Sequence, residues 1–505
     1  MVHSIVEGNP TFRKGSLEEH FTPYRQKVAG IGRQFRSPYG WKIIRYADWA
    51  ASGRIYLPIE HKLLREFAPL VANTHTESTA TGAAMTEAYH EAKRMIKEHV
   101  HAGEHDILLF CGNGMTAAVN KLQRLMGLRS TAGWRLRDQL SEKERPIVFV
   151  THMEHHSNQL SWQETLCDIH IIKPDEDGRV SKDRLEEALL QYPDRPRKIG
   201  AFTSCSNVTG VMPAIHELAA VMHRYGGIVC VDWTASAPCT MIDMHPEKAE
   251  ERLDAIYFSP HKFLGGPGAS GVLVFDSRLA ADYTPDHPGG GTVIWTDRWK
   301  GCIYVKDREE REDGGTPGFL QAAKVALAIT LKNEMGIKAM EERERELVDR
   351  LLSGLSEIKD IHVLDGHLKE RLPIVSFYAE FIHFPLFVRL LNDRFGIQAR
   401  GGCSCAGTFG HFLFGLDKAT SERILARIKS GDLKEKPGWV RLSLHPIMTD
   451  AEVDAILYAV RSIIQNISLW RTDYRYNPKS NDYQHFAAPK RQDPGRWFSL
   501  SDNMD

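Results

Sequence analysis

The stretch Tyr257-Phe-Ser-Pro-His-Lys-Phe-Leu-Gly-Gly-Pro-Gly268 places a lysine after a short apolar run and before a group of glycines. In a partly buried, electropositive pocket such a lysine, Lys262, loses affinity for its proton and can condense with an aldehyde. Ser259 and His261 can bind a phosphate, and the glycines let the backbone approach a ligand. The alternative is a surface lysine in a glycine-rich turn, so other motifs have to decide.

Working outward, short apolar runs alternate with segments of helical period. The runs predict buried strands at 107–110, 147–150, 169–172, 199–203, 228–231 and 272–275. Helices are predicted between most of them, at 115–126, 182–190 and 215–224. This βαβ series predicts an α/β fold with a mostly parallel sheet, whose ligands bind at the carboxyl ends of the strands.

One of these predicted strand ends carries an acid, in Val229-Cys-Val-Asp-Trp233. A carboxylate there can keep a heterocyclic ring nitrogen protonated, which is what pyridoxal phosphate (PLP) needs to act as an electron sink. Asp232 fits that role. An aspartate that only caps a following helix is the alternative.

Two further strand ends carry polar turns. In Cys111-Gly-Asn-Gly-Met-Thr116 the turn leads into a helix whose free N–H groups, with the Thr116 hydroxyl, can bind a phosphate. Thr151-His-Met-Glu-His-His-Ser-Asn158 holds three histidines, and His155 can stack on a planar ring. The first turn can also be a plain strand-to-helix connection. A metal site at the second is disfavoured because no further ligands stand at a standard spacing.

The rest of the chain predicts a second, smaller unit. A long helical pattern over 319–358 carries the charge run 341–346, read as a solvated helix face that bridges two domains. Strands at 374–378 and 440–444 and helices at 385–395 and 449–467 follow, in an α+β pattern. We therefore divide the chain into an extension (1–40), a large α/β domain (41–318), a linking helix with a small α+β domain (319–470) and a tail (471–505).

Composition narrows the class of protein. The 505 residues include 64 Lys plus Arg and 65 Asp plus Glu, a net charge of −1, so charge implies neither a nucleic acid nor a membrane partner. The N-terminus lacks the pattern of a signal peptide, and no apolar run approaches the length of a membrane span. Eight scattered cysteines form no disulfide framework. We expect a cytoplasmic protein.

The motifs together carry a resemblance. In chain order they are Asn113-Gly-Met-Thr116, Glu154-His-His-Ser-Asn158, Ser206-Asn-Val-Thr-Gly210, Asp232, Ser259-x-His-Lys262, Gly314-Gly-Thr-Pro317 and Val440-Arg-Leu-Ser443. This order resembles class V aminotransferase-fold PLP enzymes, from about residue 46 to about 467. The nearest subgroup is similar to cysteine desulfurase and selenocysteine lyase, with the desulfurase part of molybdenum cofactor sulfurase close behind.

The resemblance implies fold type I of the PLP-dependent transferases, and it implies roles for the motif residues. Lys262 would hold PLP covalently, Asp232 would pair with the pyridine nitrogen and His155 would stack on the ring. Asn207 would lie by the phenolic oxygen, and Arg441 would take the substrate carboxylate. The expected phosphate-side contacts are Gly114, Met115, Thr116, Ser259 and His261, with Thr316 reaching the phosphate of a neighbouring subunit in a homodimer.

The reaction is suggested by Gln398-Ala-Arg-Gly-Gly-Cys-Ser-Cys-Ala-Gly407. It resembles the Arg-x-Gly-x-x-Cys-Ala pattern of desulfurases, which places Arg400 on the motif arginine and Cys405 on the persulfide-forming cysteine. A glycine-rich loop next to an arginine favours the thiolate and can move towards the cofactor. The resemblance thus implies L-cysteine as substrate, L-alanine as product and a possible sulfur-acceptor protein. Cys403 is extra to the pattern.

Two alternatives and one departure from the family pattern stay open at this point. The two cysteines can be small loop residues in a class V aminotransferase, epimerase or β-lyase without persulfide chemistry. The chain can also be a non-catalytic protein that acts as a scaffold or sulfur relay. Finally, desulfurases usually carry Gln three positions after the cofactor aspartate, where this chain has Ala235, so one hydrogen bond to the cofactor is missing.

Overall fold

The computed structural model describes residues 15–112, 114–129, 137–280, 284–490 and 493–500. A seven-stranded sheet forms the centre of its larger part. In chain order the strands are β1 (Asp106–Cys111), β2 (Ile147–Thr151), β3 (Asp168–Ile172), β4 (Lys198–Thr203), β5 (Ile228–Asp232), β6 (Ala255–Phe258) and β7 (Gly271–Asp276).

The order of these strands across the sheet is β1-β7-β6-β5-β4-β2-β3. The neighbours from β6 to β3 pair in parallel, while β7 runs antiparallel to both β6 and β1. Six of the seven strands therefore point the same way, which confirms the predicted mostly parallel α/β sheet. The six predicted apolar runs all lie within strands of this sheet, and β6 is an additional strand between two of them.

Both faces of the sheet are covered, as parallel sheets require. Alternate residues of β2 face opposite ways: Ile147 and Phe149 pack in one hydrophobic cluster, and Val148 and Val150 pack in another. The covering helices are Ala80–His99, Gly114–Leu125, His156–Gln163, Lys182–Leu190, Ile215–Arg224 and Phe319–Met335. The three helices predicted in this region agree with the structure to within one residue at each end.

The predicted single helix over 319–358 is wrong in one respect. It is two helices, Phe319–Met335 and Ile337–Ser356, because Gly336 between them has a φ of 82°, a value that a helix does not allow. The prediction of a solvated charge run at 341–346 is also wrong in part. Arg343 and Glu344 are buried, and Arg343 forms an ion pair with Asp450 at 2.8 Å.

A four-stranded antiparallel sheet forms the second layer of strands. Its order is His362–Val363, Ile374–Tyr378, Trp439–Ser443 and Arg400–Gly402, so the last strand lies at an edge. Helices Phe384–Phe395 and Asp450–Trp470 pack against each other beside it, and the shorter helices Gly407–Leu413 and Lys418–Lys429 lie between two of its strands in the chain. The α+β pattern predicted for this region is confirmed.

The two ends of the described chain lie together on the smaller sheet's side. Near the N-terminus come helix Leu17–Arg25, strands Gln34–Ser37 and Gly40–Ile43, and strand Arg45–Tyr46, which pairs in parallel with Ile397–Gln398. Near the C-terminus, strands Tyr474–Asn477 and Asp482–His485 form a hairpin. The Tyr39 hydroxyl donates to Asp473 at 2.7 Å and so links both ends.

The other described elements are short. They include helices Leu57–Lys62 and Arg308–Arg311, several single helical turns, and the strands Val293–Thr296 and Cys302–Tyr304, which form a hairpin. Among the described residues, no helix is both long and apolar enough to cross a membrane.

Candidate active site

A cavity of about 230 Å³ opens where the carboxyl ends of β4, β5 and β6 meet the smaller sheet. Most of the side chains predicted from separate motifs line it. These residues are Met115, Thr116, His155, Asn207, Asp232, Ser259, His261, Lys262, Arg400, Cys405 and Arg441. Ala235 lines the same cavity. The structure thus brings together residues that are spread over more than three hundred positions of the chain.

Two predicted residues do not line this cavity. Gly114 lies behind Ser259: its φ is 62°, and a Cβ there would come within 2.6 Å of the Ser259 Oγ, so only glycine fits. Thr316 is exposed and is not among the residues that line the cavity of its own chain. Asn113, which belongs to the same motif as Gly114, lies outside the described residues.

The lysine and its acid partner stand at the ends of neighbouring strands. Asp232 is the last residue of β5, and Lys262 ends a single helical turn, Pro260–Lys262, that follows β6. Burial lowers the pKa of Lys262 to about 8, although the Asp232 charge acts in the opposite direction. The amine is therefore neutral in a large fraction of molecules at mildly alkaline pH, and a neutral amine is the nucleophilic form.

Asp232 itself is buried and accepts the main-chain N–H of Thr234 at 3.0 Å. Burial raises the pKa of its carboxyl group, while the bonds from Thr234 and the nearby Lys262 lower it. A buried carboxylate with one side bonded and the other facing the cavity is suited to hold a cationic ring nitrogen.

Hydroxyl and amide groups converge at the first turn of helix Gly114–Leu125. The Met115 N–H donates to the Ser259 Oγ at 2.8 Å, and the Thr116 hydroxyl donates to the Ser157 Oγ at 2.8 Å. These two hydrogen bonds connect the segments that follow β1, β2 and β6 at one corner of the cavity. The positive end of a twelve-residue helix and three hydroxyl groups form a site for an anion there.

His155 caps helix His156–Gln163, and its Nδ1 accepts the Ser157 N–H at 3.1 Å. Burial, with a further contribution from Lys262, lowers the pKa of His155 to about 3. The ring is therefore neutral, with Nδ1 unprotonated, and a neutral flat ring on the cavity wall can stack on an aromatic ligand.

A buried hydrogen-bond network, which the sequence analysis did not predict, supports the side of the cavity that carries His155. Glu154 accepts the Thr151 hydroxyl at 2.6 Å, the Asn158 amide at 2.7 Å and the Thr203 N–H at 2.9 Å. Burial raises the pKa of Glu154 to about 7. Since the Tyr257 hydroxyl donates to Asn158 at 2.6 Å, the network ties β2, β4 and β6 together behind His155.

The cysteine loop closes one side of the cavity. Cys405 is exposed and lines the cavity, whereas Cys403 packs against the apolar cluster around Trp439. Ser404 and Cys405 have φ values of 49° and 57°, a conformation that residues with a side chain rarely adopt. The Asn207 amide donates to the Ser404 carbonyl oxygen at 2.7 Å and so connects the loop to the end of β4.

Two arginines line the cavity, and one aspartate, Asp48, pairs with both of them. Arg441, on strand Trp439–Ser443, is buried and donates to Asp48 at 2.8 Å and to the Asn207 carbonyl oxygen at 3.0 Å. Arg400 also pairs with Asp48, at 3.0 Å. The sequence interpretation missed Asp48 because its partners lie 352 and 393 residues away. The available signal was indirect, namely two arginines expected in one pocket with no acid assigned to them.

Unsatisfied polar atoms test whether the cavity fits PLP. In the described part of the chain, Asn207 Oδ1 and Arg441 Nε are buried and have no hydrogen-bond partner. Both residues line the cavity. Because buried polar groups normally find partners, these atoms indicate a polar ligand. The Lys262 amine matches the aldehyde of PLP, and the Asp232 carboxylate matches its ring nitrogen. The His155 ring matches the face of the PLP ring, and the anion corner matches its phosphate. The residues present therefore fit the cofactor.

The histidine-rich motif is arranged differently from a metal site. The His152 ring bonds to the Gly178 carbonyl oxygen at 3.2 Å, and His156 Nε2 accepts the Gly407 N–H at 2.8 Å. Over the described ranges, no group of three or more His, Cys, Asp or Glu residues is arranged to hold a metal ion.

Comparison with known proteins agrees with this geometry. Residues 45–456 match the family model of class-V aminotransferases. A probable cysteine desulfurase from Halalkalibacterium halodurans is 28% identical over 369 residues, which cover 72% of this chain and 84% of the relative. A probable cysteine desulfurase from Pyrococcus abyssi is 26% identical over 426 residues, 84% of this chain and 94% of the relative.

Solved structures show the same fold. A cysteine desulfurase from Thermococcus onnurineus NA1, in its apo form, matches with a TM-score of 0.68 and 22% identity, over 84% of this chain and 95% of that one. A cysteine desulfurase from Escherichia coli matches with a TM-score of 0.68 and 21% identity, over 88% of this chain and 98% of that one.

Proposed function

Because this chain belongs to the class-V aminotransferase family of PLP enzymes, we propose that it is a cysteine desulfurase that converts L-cysteine to L-alanine and takes the sulfur onto Cys405. One observation carries the proposal. An exposed thiol, Cys405, lines the same cavity as the half-buried Lys262 and the buried Arg441. The names of the relatives support the same activity.

The cofactor would be held by the residues already described. Lys262 would hold it covalently, Asp232 would keep its ring nitrogen protonated, and His155 would lie against its ring. Thr116, Ser259 and His261 would bind the phosphate, the Met115 N–H would orient the Ser259 hydroxyl, and Asn207 would lie near the phenolic oxygen. When bound, PLP supplies an aldehyde that links to amines and a protonated ring that accepts negative charge.

The side chains of this protein would do the rest of the chemistry. Arg441 binds and orients the substrate carboxylate, assisted by Arg400, and Lys262 Nζ moves the proton at the substrate Cα. The Cys405 thiolate attacks the substrate sulfur, so that an S–S bond forms while the carbon–sulfur bond breaks and the carbon gains a proton. One L-cysteine and one Cys405 thiol thus become one L-alanine and one Cys405 persulfide, with atoms and electrons balanced.

A sulfur acceptor follows from this scheme. The persulfide on Cys405 has to be passed to another thiol before a second turnover, and the exposure of Cys405 gives a second molecule access to it. We propose a sulfur-acceptor protein as the partner, which a small thiol reductant can replace in the test tube.

We also propose a homodimer. In the hairpin of Val293–Thr296 and Cys302–Tyr304, four large apolar side chains are exposed to solvent: Ile294, Trp295, Trp299 and Ile303. An exposed group of large apolar side chains is typical of a protein–protein interaction site. Thr316 is exposed in its own chain, which is compatible with a role at the phosphate of a second copy. The proposed division of the chain near residue 318 would then place the dimer contact on the large domain.

A second candidate function is favoured by Ala235. This residue lines the cavity at the position where desulfurases usually carry Gln, so one hydrogen bond to the cofactor is missing. A class V transaminase, epimerase or β-lyase acting on another amino acid, without persulfide chemistry, would accommodate this difference.

The product profile separates the candidates. The purified, PLP-loaded protein is incubated with a panel of amino acids and a thiol reductant, and alanine, sulfide, α-keto acid and racemised substrate are measured. Alanine and sulfide in equal amounts from L-cysteine support the desulfurase. An α-keto acid or a D-amino acid without sulfide would support the second candidate.

A further inference from the structure

Asp48 lies between the two arginines of the cavity. Its Oδ1 accepts from the Arg441 NH2 at 2.8 Å, and its Oδ2 accepts from Arg400 Nε at 3.1 Å and NH2 at 3.0 Å. One carboxylate therefore contacts both guanidinium groups that are available for a substrate carboxylate. Arg441 has a further atom, Nε, that is buried without a partner in the described chain.

The segment that carries Asp48 is fixed in place. The Ala50 N–H donates to the Ser443 hydroxyl at 2.8 Å, and the Ser443 N–H donates to the Ala47 carbonyl oxygen at 2.8 Å. The Trp49 ring stacks on the buried His445 ring with 4.4 Å between centroids. Because these bonds tie the segment to the strand that bears Arg441, Asp48 is held in a fixed position against the Arg441 guanidinium.

The charges of these three side chains can be counted. Arg441 and Arg400 contribute two positive charges and Asp48 contributes one negative charge, which leaves one positive charge. Lys262 and Asp232, which also line the cavity, add one charge of each sign. A ligand with one carboxylate neutralises the remaining positive charge, whereas a second carboxylate would add a negative charge that no guanidinium is left to compensate.

We propose that Asp48 is a specificity-determining residue, which restricts the cavity to amino acids with a single carboxylate by neutralising one of its two guanidinium groups. The inference rests on the proposed function only in that the cavity receives an amino acid. It defines the substrate class as neutral-side-chain amino acids such as L-cysteine and excludes dicarboxylic ones. The principle is selection by an unfavourable charge rather than by an added contact.

The test compares two thiol acids that lack an amino group. 3-Mercaptopropionate has one carboxylate, and mercaptosuccinate has the same framework with a second one. Their dissociation constants are measured by calorimetry with the PLP-loaded wild type and the Asp48→Asn variant. We expect the ratio of the two constants to shift by at least tenfold in favour of mercaptosuccinate in the variant, because a charged contact of this kind is worth roughly that factor.

Two control variants separate charge from structure. Ser443→Ala removes the bond that holds the Asp48 segment but leaves every charge in place, so its ratio should equal that of the wild type. Asp48→Glu keeps the charge and should keep the preference for the monocarboxylate. A ratio that moves by less than twofold in Asp48→Asn, or that moves equally in Ser443→Ala, would overturn the proposal.

A further variant keeps the proposal testable if Asp48→Asn does not fold. Arg400→Gln removes the more exposed guanidinium and leaves Asp48 to neutralise Arg441, so binding of 3-mercaptopropionate should weaken at least tenfold. Unchanged binding would contradict the charge count. Since neither compound is turned over, a failure of desulfuration leaves this readout intact, and the two proposals can fail separately.

Discussion

The main-chain N–H of His156 donates to the carbonyl oxygen of Cys405 across 2.7 Å. The His156 side chain adds a second link, since its Nε2 accepts the Gly407 N–H at 2.8 Å. His156 begins the helix that His155 caps, and His155 lines the cavity. The cysteine loop is therefore anchored to the element that presents an imidazole to the proposed cofactor.

Replacing this anchor should loosen the loop locally. In His156→Ala the Gly407 N–H loses its acceptor, at a cost of about 1 kcal/mol, so its hydrogen exchange should accelerate roughly fivefold. Amides of strand Trp439–Ser443 serve as the internal control and should exchange at the wild-type rate. Equal protection of Gly407 in both proteins would show that the side-chain bond does not hold the loop.

The carboxylate at the end of β5 should control catalysis more than cofactor attachment. In Asp232→Asn the variant can still accept the Thr234 N–H but carries no charge, so we expect kcat to fall on the order of a hundredfold. Borohydride reduction should still fix PLP on Lys262, as shown by peptide mass spectrometry. Asp106→Asn, at a buried carboxyl away from the cavity, is the control. Wild-type kcat in Asp232→Asn would remove this residue from the mechanism.

Stability of the cofactor-free protein should depend on pH through Lys262. Its pKa is lowered to about 8 in the folded chain against 10.5 in the unfolded one, so the unfolded chain binds more protons between these values. The free energy of unfolding should therefore rise with pH across this window, by up to about 1.4 kcal/mol per pH unit for one proton. Below pH 8 the cost of burying the charged amine is fully present.

Lys262→Met is the matched variant for this measurement. In denaturant titrations at pH 8 to 10.5, the free energy of unfolding of the variant should rise less steeply with pH than that of the wild type. Burial also lowers the pKa of Lys332 to about 8, but this contribution is common to both proteins. Parallel curves for wild type and variant would mean that Lys262 has an ordinary pKa.

The exposed hairpin should be a subunit contact. Trp295→Ser and Trp299→Ser each remove a large apolar side chain worth about 2 kcal/mol if a second copy covers it, so the dimer dissociation constant should rise more than tenfold in analytical ultracentrifugation. Trp497→Ser, at an equally exposed tryptophan of the C-terminal segment, should leave it unchanged. A monomeric wild type would contradict the proposed homodimer.

Local patterns were sufficient to predict the large sheet. Runs such as 147–150 are continuous and apolar, and the residues after them, Asp232 and Lys262 among others, reach one cavity because parallel strands share a carboxyl edge. The meeting of most motif residues in one cavity could be predicted for the same reason. The break between the two helices at Gly336 was not predicted, because the helical periodicity on either side of this glycine is undisturbed.

Contacts between distant segments could not be predicted in this way. Asp48 and Arg441 belong to different parts of the chain, and neither shows a local pattern that points to the other. Glu154 was part of a quoted motif, but its bond to the Thr203 N–H depends on how β2 and β4 pair. The separation of Cys403 from Cys405 also depends on tertiary packing, because Trp439 determines which side chain is covered.

The most direct measurement is the fate of the substrate sulfur. The PLP-loaded protein is mixed with L-cysteine without reductant, trapped with an alkylating reagent and digested for mass spectrometry, alongside Cys405→Ser and Cys403→Ser. We predict one added sulfur atom on Cys405 and an equal amount of L-alanine in wild type and Cys403→Ser, and neither product in Cys405→Ser. Alanine formed by Cys405→Ser at the wild-type rate would contradict the account.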